Sequence, residues 1–206
     1  MLNWIVVGIG DISTRRVIPA IQAEPRSRLY GLVTRDAAKA AGFDARVWTS
    51  LDEALSDSAV QAVYVATPVF LHARQTIASL LASKHTLCEK PMAMNEAEAS
   101  SMLETARGSG KTLGVAYYRR SYPKVQRAKQ LLEAGAIGRP VLAELTSHGW
   151  FDGKDERSWL IDPTKAGGGP LYDIASHRID VLNFFFEQPR LEPLRVRSHK
   201  RAFSPR

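Results

Sequence analysis

Residues 2–13, Leu-Asn-Trp-Ile-Val-Val-Gly8-Ile-Gly10-Asp11-Ile12-Ser13, decide the fold. The run to Val7 is short, apolar and β-branched, as a strand buried on both faces would be, and Gly8 ends it. From Ser13 to Ala23 the spacing predicts a helix, with Pro19 either kinking it or marking where its regular part begins. A strand, a glycine turn and a helix in that order make a phosphate cradle. The first glycine permits the tight turn and the second lets a pyrophosphate approach the backbone. The helix N-terminus then supplies N–H donors and the positive end of a dipole. Gly8, Gly10, Asp11, Ile12 and Ser13 are therefore expected to hold a dinucleotide, although Ser13 stands where the fingerprint has Gly or Ala.

Outward from this motif the chain alternates strand and helix. Strands are expected over 28–34, 60–67, 86–89 and 112–118. The helices between them include one opened by the capping box Ser50-Leu-Asp-Glu53, one over 71–83, and one capped by Asn95 that runs to about Arg107. Such alternation means βαβ units and a doubly wound parallel sheet, the Rossmann arrangement, over residues 1–120. Beyond that the pattern changes. Pro123 can open a helix running to Glu133. Residues 141–147 alternate as a half-buried strand would, and 148–170 read as loop with Gly167-Gly-Gly169. An apolar helix is expected over 171–186. Residues 121–189 are thus read as a partial α+β substrate domain, and 190–206 as a basic, irregular tail.

Composition excludes several classes. The formal net charge is +7, but Arg190, Arg195, Arg197, Lys200, Arg201 and Arg206 against Glu192 put +5 of it in the tail and leave +2 for the body. A basic tail can attract nucleic acid or anionic lipid; a body without that bias argues against nucleic acid as the partner. Cys88 is the only cysteine, so no intramolecular disulfide and no paired-cysteine metal or redox site can form. No metal site is expected. No apolar run approaches the ~20 residues of a membrane helix, and the first ten residues lack the basic start of a signal peptide. The expectation is a cytoplasmic protein with no membrane association.

Three further groups carry chemistry. At the end of the second strand lie Thr34 and Arg35, with Asp36 one step later. An NAD site usually has an acidic residue at the strand end for the ribose 2′-hydroxyl, whereas a guanidinium suits a 2′-phosphate, so Arg35 favours NADP over NAD. Lys90, in Glu89-Lys90-Pro91, sits at the carboxyl edge of the sheet, where its ammonium can meet a substrate hydroxyl. In the last helix Asp173, His177 and Asp180 share one face, with Ile174, Val181 and Phe185 opposite. A carboxylate one turn from an imidazole can orient it and raise its basicity, as a general base requires.

Taken together and in order, these motifs resemble the Gfo/Idh/MocA family of NAD(P)-dependent oxidoreductases. The resembling residues are Gly8-x-Gly10, Ala66-Thr67-Pro68 with His72, Glu89-Lys90-Pro91, Arg119 through Pro123, and Gly167-Gly-Gly with Asp173, His177 and Asp180. The resemblance implies hydride transfer between nicotinamide and a hydroxyl-bearing carbon of a sugar, cyclitol or related small molecule. It implies that His177 takes the hydroxyl proton, that Asp173 holds and polarises His177, and that Lys90 positions the hydroxyl. It also implies that Thr67, Pro68 and His72 lie along the nicotinamide half of the cofactor, with Glu89 near its ribose. Tyr118, Arg119 and Asp180 are expected at the substrate rim, and Tyr172 as a packing aromatic. Family members continue into a largely antiparallel sheet used for oligomer contacts. Residues after Pro189 show no such pattern, so a shortened C-terminus, a poorly partnered strand at 141–147 and a missing homo-oligomer interface are expected. A cofactor-binding sensor or scaffold without turnover, or an inactive family member, would share the glycine loop.

Overall fold

The computed structural model describes residues 1–146, 162–169 and 171–186. Six parallel strands form one sheet: β1 (Leu2–Val7), β2 (Ser27–Val33), β3 (Arg46–Trp48), β4 (Ala62–Val65), β5 (His85–Cys88) and β6 (Leu113–Val115). Their order across the sheet is β3-β2-β1-β4-β5-β6. The crossover between β3 and β4 reverses the direction of winding at β1, and ligands of such sheets lie at the carboxyl ends of the strands beside that reversal. Alternation along β1 shows why Trp4 through Val7 are all apolar. Ile5 and Val7 enter one core with Val63, Val65 and Met102. Val6 enters the other with Ile18, Leu29 and Leu32.

The helices form where the sequence caps them. After five residues of π-helix (Ser13–Val17), α1 (Ile18–Ala23) carries Pro19 in its first turn, so the proline marks the start of regular helix. In α2 (Leu51–Ser56) the Ser50 side chain accepts from the Glu53 amide. α3 spans His72–Leu81. α4 (Glu96–Ser109) is capped reciprocally: Asn95 accepts from the Glu98 amide and the Glu98 carboxylate from the Met94 amide, both at 3.0 Å. α5 runs Pro123–Glu133 as the sequence predicts, and α6 is one short turn, Pro163–Ala166. The last helix opens with π-turns over Leu171–Ala175 and continues as α7 (Ser176–Phe186).

Two expectations require correction. β3 was not anticipated; it pairs with β2, and the Trp48 ring lies where a Cβ on Gly31 would be. Residues 141–146, expected as part of a strand, have no regular structure, and Val141 and Leu142 are 96% and 85% exposed. Among the described residues no strand lies beside them, and an unpaired strand has no partner for its backbone groups. Ser147 and the loop beyond it to 161, Pro170, and 187–206 lie outside the described residues. No helix among the described residues is long and apolar enough to cross a membrane.

Candidate active site

The glycine loop is shaped by two different demands. Gly8 has a φ of +90°, and a Cβ there would stand 2.9 Å from both the Ala66 carbonyl oxygen and Thr67 Cγ2, so the end of β1 lies directly against the end of β4. Gly10 has nothing within 4 Å of where its Cβ would be. That open space beside a helix start fits the close approach of a pyrophosphate. Ser13 is buried and donates from Oγ to the Gly8 carbonyl at 2.7 Å, which ties the helix to the loop and accounts for a hydroxyl at this position. Ile12 packs on the second core, and Asp11 pairs with Arg15 in solvent. At the end of β2, Thr34 is buried, with Oγ1 accepting from the Asp36 amide at 3.2 Å. Asp36 caps the turn Ala37–Ala40, and Arg35 is exposed.

At the ends of β4 and β5 the expected contacts are partly redirected. Thr67 donates to Gln75 at 2.6 Å, and Pro68 precedes the turn that leads into α3. His72 is 1% exposed; its Nε2 lies 2.7 Å from the Thr67 carbonyl and its Nδ1 2.8 Å from that of Pro91. Burial lowers its pKa, against the pull of the two carbonyls. Both ring nitrogens are engaged by backbone, so His72 stands beneath the site as a strut between two loops. Glu89 is also buried, accepting from the Tyr64 hydroxyl at 2.7 Å and from the Lys90 amide at 3.1 Å. Tyr64 escaped sequence analysis because an aromatic in an apolar strand reads as core; its hydroxyl is the exception.

Lys90 reaches across to the last helical segment. Its Nζ donates to Asp173 Oδ1 at 2.5 Å and to the Asp173 carbonyl at 2.9 Å. This corrects one assignment: Asp173 is spent on Lys90 and does not hold His177. A full positive charge in contact outcompetes a neutral ring for a carboxylate. His177, 2% exposed, stands edge-on to Tyr117 and Tyr118, with ring centroids 5.9 and 5.1 Å away. Its buried Nδ1 has no hydrogen-bond partner among the described residues. Burial, then the charges of Lys90 and Arg119, push its pKa down to about 4, against a smaller upward pull from Asp173.

Asp180 is likewise committed. It is 5% exposed and receives Arg120 Nε at 2.8 and 2.7 Å on its two oxygens, with Arg120 Nη2 closing the pair. The expected substrate-rim carboxylate is thus paired with Arg120, whereas the sequence reading chose its neighbour Arg119 for the rim. Arg119 is half-buried and Tyr118 is 42% exposed. Tyr172 packs as expected: its hydroxyl donates to the Met94 carbonyl at 3.1 Å, and a Cβ on Gly168 would overlap its ring. No group of three or more potential metal ligands occurs among the described residues.

The sheet order and the glycine turn that follows β1 define a protein of the Rossmann class. The chain belongs to the GFO/IDH/MocA oxidoreductase family: the family's NAD-binding Rossmann model matches residues 2–117, and its C-terminal domain model matches 125–205. A 1,5-anhydro-D-fructose reductase from Ensifer adhaerens is 34% identical over 95% of this chain and 60% of its own length. An aldose-aldose oxidoreductase from Caulobacter crescentus, complexed with glycerol, superposes with a TM-score of 0.79 at 29% identity, over 90% of this chain and 58% of that one. A levoglucosan dehydrogenase in complex with NADH and levoglucosan gives 0.74 at 27%, over 89% and 52%. The chain thus spans about 60% of the length of the curated relatives it matches.

Proposed function

We propose that the protein is an NAD(P)-dependent oxidoreductase that moves hydride between nicotinamide and a hydroxyl-bearing carbon of a sugar, cyclitol or related small molecule. The observation that carries this reading is the Lys90–Asp173 contact, which brings α7 and its buried His177 to the carboxyl edge of the sheet. The space at Gly10 fits a pyrophosphate held by the amides of Gly10 through Ser13. The exposed guanidinium of Arg35, beside Thr34, suits a 2′-phosphate and favours NADP over NAD. Thr67 and Pro68 flank the nicotinamide half, with His72 and Glu89 bracing the loops from below. A bound nicotinamide supplies the hydride donor or acceptor.

The chain's own residues manage the proton and the charge on oxygen. Lys90, aimed by its contacts with Asp173, stabilises negative charge developing on the substrate hydroxyl. His177 is neutral near pH 7, because its pKa is pushed down to about 4, and a neutral ring can accept the hydroxyl proton. Burial and its cationic neighbours make the imidazolium more acidic than usual, so that it returns the proton readily and the same ring serves reduction. The named substrates and ligands of the relatives are polyhydroxylated, which supports the substrate class. The test is turnover with NADP or NAD and a panel of aldoses, anhydrosugars and cyclitols, followed at the absorbance of reduced nicotinamide. Lys90→Met and His177→Gln should each lose at least about 100-fold while still binding cofactor; turnover indifferent to both would refute the assignment.

A further inference from the structure

Both carboxylates on the His177 side of the last helical segment are consumed by cations from the Rossmann domain. Asp173 meets Lys90 from the turn after β5. Asp180, one turn beyond His177 and 5% exposed, meets Arg120 from the turn after β6. Lys90 bears on proton transfer directly under the function proposed above; Arg120 has no role there. Its guanidinium grips Asp180 with two nitrogens, a geometry that fixes orientation as well as distance. It also lies 5.9 Å from the centroid of the Phe184 ring on the same helix. Its carbonyl accepts from Gln126 Nε2 at 2.6 Å, anchoring the turn to α5.

We propose that Arg120 is a positioning residue for His177: by closing on Asp180 it docks α7 and keeps that buried carboxylate from acting on the imidazole. Positions i and i+3 of a helix are neighbours, with Cβ atoms roughly 5–6 Å apart, so an unpaired Asp180 would bear directly on the His177 ring. The charges that act on that ring are Lys90 and Arg119 from the two turns, with Asp173 and Arg178 on its own segment, while Asp180 stands one helical turn away, closed in its pair with Arg120. The titratable groups packed against it are the Tyr117 and Tyr118 phenols. With Asp173 and Asp180 both paired, the balance near His177 is positive, and the ring stays neutral in the range where it must accept a proton. Without Arg120 a bare carboxylate would favour the imidazolium and close the site to a substrate proton.

This inference rests on His177 as the proton acceptor, but its test needs no turnover. The His177 ring resonance of the full chain, identified by its loss in H177Q, is titrated by NMR. In R120Q the midpoint should rise by about one pKa unit or more, as expected when a nearby opposite charge is unmasked. R120K keeps the charge and should stay near the wild-type value. R120Q/D180N removes both charges and should return to within about half a unit of wild type. An R120Q midpoint equal to wild type, or a double variant as high as R120Q, would overturn the proposal. If R120Q does not fold, the double variant decides, because a midpoint displaced from wild type by about one unit or more contradicts it. A chain without turnover but with the predicted titration pattern would sink the oxidoreductase reading and leave only the effect of the Arg120–Asp180 pair on His177 standing.

Discussion

Replacing the two loop glycines separately tests whether one holds the fold and the other makes room for cofactor. In Gly8→Ala the new Cβ inherits a φ of +90° and a 2.9 Å contact with the Ala66 carbonyl oxygen. The left-handed backbone costs about 1–2 kcal/mol in a residue with a Cβ. Forcing a methyl against backbone that cannot swing away costs a further 1–3 kcal/mol or so. A loss of roughly 2–5 kcal/mol is a large share of the stability of an ordinary domain. Gly10→Ala meets nothing within 4 Å, so without cofactor its stability should stay within about 1 kcal/mol of wild type. Its methyl would, however, occupy the cradle, and cofactor affinity should fall at least about tenfold, or 1.4 kcal/mol. Urea denaturation midpoints and a fluorescence titration with NADPH measure the two effects. A Gly8→Ala variant as stable as wild type, or a Gly10→Ala variant that binds cofactor normally, would refute the reasoning.

Ser83 has a φ of 60° just after α3, with its amide donating to Leu80 O and that of Lys84 to Ser79 O, the closing pattern that favours glycine. Ser83→Gly should therefore raise stability by about 1 kcal/mol, seen as a rise of roughly 2–4 °C in Tm. Stability should also fall with acid between about pH 6.5 and pH 4. The folded His177 resists protonation until about pH 4 while the unfolded ring binds its proton near its ordinary 6.5, and buried His72 acts in the same direction. The stabilisation is complete above the unfolded pKa and lost towards the folded one; urea midpoints flat across that range in wild type, or an equal slope in H177Q, would contradict it. Arg35→Ala should lower NADPH affinity about tenfold and leave NADH affinity within about twofold, by parallel titrations.

The Rossmann half was legible because local chemistry and global fold agree there. β1 is a buried apolar run, Ser50 and Asn95 each accept from a first-turn amide, and Pro123, with no N–H to satisfy, opens α5; each stands where the sequence puts it. β3 was missed because Arg46-Val-Trp48 is too short to show a period; it exists because β2 offers an edge and Gly31 leaves room for Trp48. Residues 141–146 erred the other way, since alternation there describes a strand only if a neighbour pairs with it. In the site, residue types were readable and partnerships were not. Helical spacing put Asp173 beside His177, but the ammonium that claims it comes from 83 residues away. Arg119 and Arg120 look alike in the chain, and only the position of Asp180 tells them apart.

The central claim is that this chain holds a dinucleotide at the Gly8–Gly10 loop so that Lys90 and His177 can act on a substrate hydroxyl. Titrating the purified, folded chain with NADPH and with NADH, by nicotinamide fluorescence, tests it most directly. The account predicts saturable binding that is tighter for NADPH and weakened in Gly10→Ala. Binding of neither dinucleotide by a chain shown to be folded would contradict it.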